Sequence, residues 1–378
     1  MIRATTLARP GTARCARGLA PRRSAQSWAR RERNYVGLGL GLGAIGGLAY
    51  FVWPLLRPQM VWPPELREDL RQALRLQSTD AASAEALYHR AWQRARSMAR
   101  SELGADALLK TTGIAASLGA LLESRGRSRD AARIYATALG DLREDEAALS
   151  PTERARSVVL ARKLASVSRP DTGAAEDAME YAAATLIKLG ATAEQLARAQ
   201  ERAEQGEDGM SAGDITPPRW MQSDQLDLAD TLEQLATIYE ARGKHDLAIP
   251  AFLQTLSILG RDRQPSTAHR CRTANVMAQL SAALSHDPAR SQNAISWAKQ
   301  SIAVADKSVA EAPAIEADDA AQCLHCAGIG HVNLGTLYAM GGKPVDARAA
   351  FESAIERCTR LGAAECVDRA RAGLRSIV

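Results

Sequence analysis

The sequence predicts an all-α solenoid of helical hairpins carried behind a single membrane-spanning helix, and three observations predict it. The 378 residues are 46% apolar and 24% charged but only 4% aromatic, and alanine recurs throughout. That composition favours close-packed helices over sheets, whose pleated faces need Val, Ile, Tyr and Phe. One stretch near the N-terminus carries no charge over the length of a bilayer span. Beyond it, a pattern of small, glycine and large apolar residues recurs at fixed offsets.

Residues 1–33 hold nine arginines against the single acid Glu32, with no lysine, and Pro10 and Pro21 prevent one long helix. An Arg-, Ala- and Ser-rich, acid-poor leader reads as a mitochondrial transit peptide rather than a secretory signal. It also accounts for the net charge. The whole chain is +5 and the leader +8, so the remainder is −3. A folded part that is mildly acidic lacks the basic face that nucleic-acid binding requires.

Residues 34–56, from Asn34 to Leu56, contain no charged side chain. As a helix these 23 residues rise about 34 Å, enough for a hydrocarbon core of about 30 Å. Tyr35 at one end and Tyr50 and Trp53 at the other suit the interface, while Arg30, Arg31 and Arg33 crowd the N-terminal flank. The expected topology is a single pass through the mitochondrial inner membrane, N-terminus in the matrix and C-terminal part in the intermembrane space. Gly37, Gly41, Gly39, Gly43 and Gly47 give small-xxx-small spacings, which fit either a helix–helix contact or a plain glycine-rich anchor.

Residues 57–378 carry the repeats. Counted from Gly328, Leu334, Gly335, Tyr338, Gly342, Ala347, Phe351 and Ala354 fall at positions 7, 8, 11, 15, 20, 24 and 27 of a 34-residue period. Counted from Thr112, Leu118, Gly119, Leu122, Gly126, Ala131, Tyr135 and Ala138 do the same; counted from Ala229, so do Leu235, Ala236, Tyr239, Gly243, Ala248 and Phe252. This is the tetratricopeptide-repeat (TPR) pattern, with clearest copies at 112–145, 229–262 and 328–361. Small residues at 8 and 20 let helix A lie against helix B. Glycine at 15 turns the chain, and large residues at 7, 11 and 24 fill the seam between hairpins, each of which needs a neighbour.

Weaker copies are expected around Ala84, Tyr88 and Ala91, around Leu164, Ala165, Tyr181 and Ala184, and around Ala294, Ala298 and Ser301, giving about six hairpins. Residues 203–219, rich in turn formers, are expected to form a mobile loop.

No phosphate loop, dinucleotide fingerprint, zinc-protease motif or nucleophile elbow is present, so an enzyme is not expected, nor a cofactor or metal. Cys323 and Cys326 form a CxxC, followed by His331, Cys358 and Cys366. The pair admits a disulfide, zinc ligation or burial as small apolar side chains. Cys271 reads as an unpaired core residue.

TPR arrays bind peptides along the helix-A face, at repeat positions 2, 5, 9, 12 and 13. The candidates are Ala116, Ala120 and Glu123 in the first clear copy, Asp230, Glu233, Thr237 and Glu240 in the second, and Val332, Thr336 and Met340 in the third. The groove is expected to be acidic in the middle and apolar at the end. That suits a basic or amphipathic ligand, or else a merely solvated face. The two-carboxylate clamp of chaperone-binding TPRs, with Lys or Arg at 2 and 5 and Asn at 6 and 9, is matched only by Asn333.

The arginine-rich leader, the single span, the Trp62-Pro63-Pro64-Glu65 opening just after it, and the cysteine pair leading into Asn333-Leu334-Gly335 together resemble the fungal TPR adaptor subunits of the mitochondrial inner-membrane i-AAA protease. The resemblance runs over the layout of nearly the whole chain. It implies binding of unfolded polypeptides, their delivery to the protease, and partnership with the protease and its other adaptor subunit. A respiratory-chain assembly factor has the same layout. An outer-membrane import or tethering receptor shares the TPR array but generally lacks the arginine-rich leader.

Overall fold

The computed structural model describes residues 62–104, 106–144, 146–169, 172–190, 222–312 and 317–377. The expected leader (1–33), span (34–56) and loop (203–219) lie outside the described residues. Among those described there is no strand, and no helix is long and apolar enough to cross a membrane.

Thirteen helices account for most of the described chain: α1 Pro64–Leu76, α2 Ala81–Ser97, α3 Ala107–Ser124, α4 Ser128–Arg143, α5 Pro151–Val167, α6 Gly173–Gly190, α7 Gln222–Ala241, α8 His245–Leu259, α9 Thr267–Leu284, α10 Ser291–Glu311, α11 Ala317–Met340, α12 Pro344–Arg360 and α13 Ala364–Ser376. They fall into two compact units, divided near Gln225. The first holds the hairpins α1–α2, α3–α4 and α5–α6. The second holds α7–α8, α9–α10 and α11–α12, with α13 at its end.

Local chemistry sets the boundaries. Pro64, Pro151 and Pro344 open α1, α5 and α12, where a missing N–H leaves no hydrogen bond unmade. Ser150 and Glu153 form a capping box, and Asp80 and Ser266 accept from the first-turn amides of Ser83 and His269.

The three clear repeats turn identically. Gly126, Gly243 and Gly342, all at position 15, have φ of +72°, +73° and +69°, a region glycine enters without Cβ strain. At each, the next amide donates back to the position-11 carbonyl: Arg127 to Leu122 at 2.9 Å, Lys244 to Tyr239 at 2.8 Å, Lys343 to Tyr338 at 2.9 Å. The glycine amide donates to the position-12 carbonyl, completing a Schellman turn.

Packing follows the repeat logic. Leu118, Leu122 and Tyr135 are buried in one unit, and Leu235, Phe252, Leu334 and Phe351 in the other. The small position-8 residue receives the position-24 ring. A Cβ on Gly119 would sit 2.3 Å from Tyr135, and one on Gly335 2.8 Å from Phe351. The weaker copies fold the same way, with Ala84, Tyr88, Ala91, Leu164, Ala165, Tyr181, Ala294, Ala298 and Ser301 all buried. Ala184 is instead exposed, and its neighbours Ala182, Ala183 and Thr185 take the buried face. In α9–α10 the helices approach closely enough for Ser281 and Ser301 to donate to the carbonyls of Ala294 and Ala274, each at 2.7 Å.

Candidate functional site

The helix-A face is built from α3 and α5 in the first unit and from α7, α9 and α11 in the second. On α3, Ala116 is half-buried and Ala120 exposed. Glu123, one turn further on, accepts from the Tyr135 hydroxyl and from Lys163 Nζ on α5 at 3.3 Å. Burial, and then the hydrogen bond to Glu123, push the Tyr135 phenol above its usual range. Glu123 therefore ties its hairpin internally and joins it to the next.

Around α7 the expectation of an open acidic groove is corrected. Glu233 meets Arg272 of α9 at 2.9 Å and accepts from Asn275 at 3.2 Å and Gln279 at 3.4 Å. Asp230 accepts from Gln234 at 2.7 Å and lies 3.6 Å from the same Arg272. Thr237 Oγ1 is 2.9 Å from the Glu233 carbonyl and 3.0 Å from Gln279 Oε1. Glu240 is buried, at 6% exposure. The cation from the adjoining helix A offsets one of the two charges of Asp230 and Glu233 and so weakens the field at its centre. Burial raises the Glu233 carboxyl above its usual range, with Arg272 opposing. Arg272, Asn275, Gln279 and Lys163 are the residues sequence reasoning missed. They lie on helices whose repeat register is weak, so no position number marked them as facing the groove.

On α11, Val332 is buried in a cluster with Ile329, Ala347, Phe351, Ala354 and, from α13, Cys366, Val367 and Ala370. Thr336 is half-buried and donates to the Val332 carbonyl at 3.0 Å. Met340 is 59% exposed. Asn333 is buried and donates to the Ala278 carbonyl at 2.9 Å, fastening α11 to α9 rather than facing a ligand. Of the expected apolar end, then, only Met340 is openly presented, because α13 covers Val332.

Of the readings open for Cys323 and Cys326, a bridge between the two does not form, and the reading of Cys271 as unpaired is corrected. Cys323 is bonded to Cys271, with Cα atoms 4.7 Å apart, and Cys358 to Cys366; Cys326 is a free, buried thiol. The reason is geometric. Cys323 and Cys326 are one turn apart on the same continuous helix α11, whereas α9 brings Cys271 directly against Cys323. Among the described residues no three His, Cys, Asp or Glu side chains converge as a metal site.

The recurring Schellman turns, the small-residue and ring contacts between paired helices, and the matching register of three hairpins define an all-α TPR-like repeat protein, a class whose exposed helix faces engage other polypeptides. No protein-family model matches the chain, and no curated protein matches it. Among solved structures it is similar to BtubC (BKLC) from P. vanneervenii, with 18% identity and a TM-score of 0.42 over 76% of this chain and 92% of that one. It is also similar to a protein from Podosopora anserina described as a kinesin light chain with nearly identical TPR-like repeats, with 13% identity and a TM-score of 0.40 over 65% of this chain and 94% of that one.

Proposed function

We propose that the chain is a single-pass adaptor of the mitochondrial inner membrane that binds unfolded or misfolded mitochondrial proteins and delivers them to the i-AAA protease, alongside that protease's other adaptor subunit. In this reading residues 34–56 anchor it and the hairpin units act in the intermembrane space as one interaction region over residues 57–378. The observation that carries the reading is a TPR-like array stapled by two disulfides, Cys271–Cys323 and Cys358–Cys366. Bridged cysteines persist in an oxidising compartment and are rare in a reducing one. The arginine-rich leader followed by an uncharged span supports the same address.

Capture falls to the exposed helix-A side chains. Arg272 offsets one of the two charges of Asp230 and Glu233, which weakens the attraction of basic segments, and Ala120 and Met340 add exposed apolar contact. The test is affinity purification of the tagged full-length protein from mitochondria in mild detergent. Recovery of the AAA protease is expected. Recovery of respiratory-complex subunits in its place would make the chain an assembly factor. Added protease is expected to digest residues 57–378 in mitoplasts but not in intact mitochondria; digestion in intact mitochondria would indicate an outer-membrane receptor.

A further inference from the structure

The helix α13 follows the α11–α12 hairpin and packs on both of its helices, in the place of the helix A of a further hairpin. It is entered through the same turn that joins helices within the hairpins: Gly362 has φ of +66°, and Ala363 donates to the Cys358 carbonyl at 2.9 Å. It buries Cys366, Val367 and Ala370, packs Leu374 partly buried against the same cluster, and lays Gly373 against the Phe351 ring. Beneath it lie Ile329, Val332 and Phe351, so α13 occupies the apolar end of the helix-A face. A 13-residue helix is marginal alone, and three buried side chains put its docking at the weak end of local stabilities. The Cys358–Cys366 bridge, spanning eight residues, fastens its first turn to α12.

We propose that α13 is a redox-latched cap. With the bridge closed it fills the apolar end of the array; with the bridge reduced it undocks, and Ile329, Val332 and Phe351 receive an amphipathic helix bearing a small-residue stripe like that of α13. The identity of that helix as part of a client polypeptide rests on the adaptor reading, whereas the latch does not. The step requires a dithiol reductant. Its thiolate attacks Cys366 Sγ, the Cys358–Cys366 bond breaks, and Cys358 leaves as a thiolate that takes up a proton. The second thiol then displaces Cys366, so the reductant closes its own disulfide and the cystine gains two electrons and two protons. Both sulfurs are buried, so attack proceeds from the transiently opened cap. Loss of a loop constraint of this length shifts the docked-to-undocked ratio by about 50- to 100-fold.

The experiment compares full-length oxidised protein in detergent with the variants C358A/C366A and C358V/C366V, which keep the Cys271–Cys323 bridge. Amide hydrogen exchange in residues 364–376 is expected to be at least about tenfold faster in both variants, with α9 and α10 unchanged. A fluorescent peptide of residues 363–377 carrying C366A is expected to bind the variants saturably and the oxidised wild type not at all. Unchanged exchange in α13 would overturn the latch. Fast exchange without peptide binding, or equal binding to all forms, would overturn the docking site. Faster exchange throughout α9 and α10 in both variants would make the bridge a staple of the whole unit and equally overturn the proposal. Failure of the protease pull-down leaves each of these readouts intact, so the two readings fail separately.

Discussion

Gly335 and Gly140 make a matched pair, because both are helical glycines and only one is enclosed. A Cβ on Gly335 would lie 2.8 Å from Cδ1 and Cε1 of Phe351, about 0.7 Å inside an ordinary carbon–carbon contact. The ring has little room to retreat, since Gly373 of α13 already abuts its tip, where a Cβ would fall 2.3 Å from Cζ. Overpacking of this kind costs roughly 1–3 kcal/mol, against which Ala recovers about 1 kcal/mol of helix propensity. At Gly140 an added Cβ meets nothing within 4 Å, so only the propensity gain of up to about 1 kcal/mol remains. Gly335→Ala is therefore expected to destabilise its unit by about 1 kcal/mol and Gly140→Ala to stabilise the other by a similar amount. At about 4 °C per kcal/mol for units of this size, thermal melting followed by circular dichroism resolves both signs. Combining Gly335→Ala with Phe351→Leu should cost less than the two changes added together. Equal stabilisation by the two Gly→Ala changes would refute the ring contact as the reason for glycine at position 8.

Two further outcomes are expected. Gly243→Ala forces a Cβ into φ of +73° and should lose roughly 1–2 kcal/mol in urea unfolding, with Gly243→Asn losing less; equal losses would argue against a left-handed turn. His331 is half-buried, with both ring nitrogens out of solvent and neither hydrogen-bonded. Burial, and then the charge of Arg357, lower its pKa from 6.5 to about 4. The fold thus favours the neutral ring, so its contribution is present above pH 6.5 and lost as pH falls from 6.5 towards 4. His331→Phe should flatten the stability profile in that window, and a profile as steep as wild type would locate the acid sensitivity elsewhere.

The hairpins were legible because position 15 must be left-handed and position 8 must be small. Gly126, Gly243 and Gly342, with Gly119 and Gly335, announce both needs in the sequence. The charge balance of the groove was not legible. Glu233 is neutralised by Arg272, 39 residues away on a helix without a clear repeat signature, and single-repeat reasoning assigns the acid without its counter-ion. The cap was hidden for a different reason. Repeat counting stops at residue 361, although Gly362, Val367, Ala370 and Leu374 carry a turn and an apolar stripe. Cysteine pairing depends on which helices meet, so Cys271, 52 residues from Cys323, could not be assigned from spacing.

The Cys271–Cys323 bridge closes a covalent ring around the hairpin α9–α10. Under tension applied to either terminus, the 52 residues within that ring cannot lengthen, which withholds about 170–190 Å of contour from any pulling device. A motor drawing this chain through a narrow pore would meet a doubled strand at Cys271 or Cys323 and stall. The bridge is in this way a knot-like stop against unravelling from either end, released only when the sulfur bond is cut.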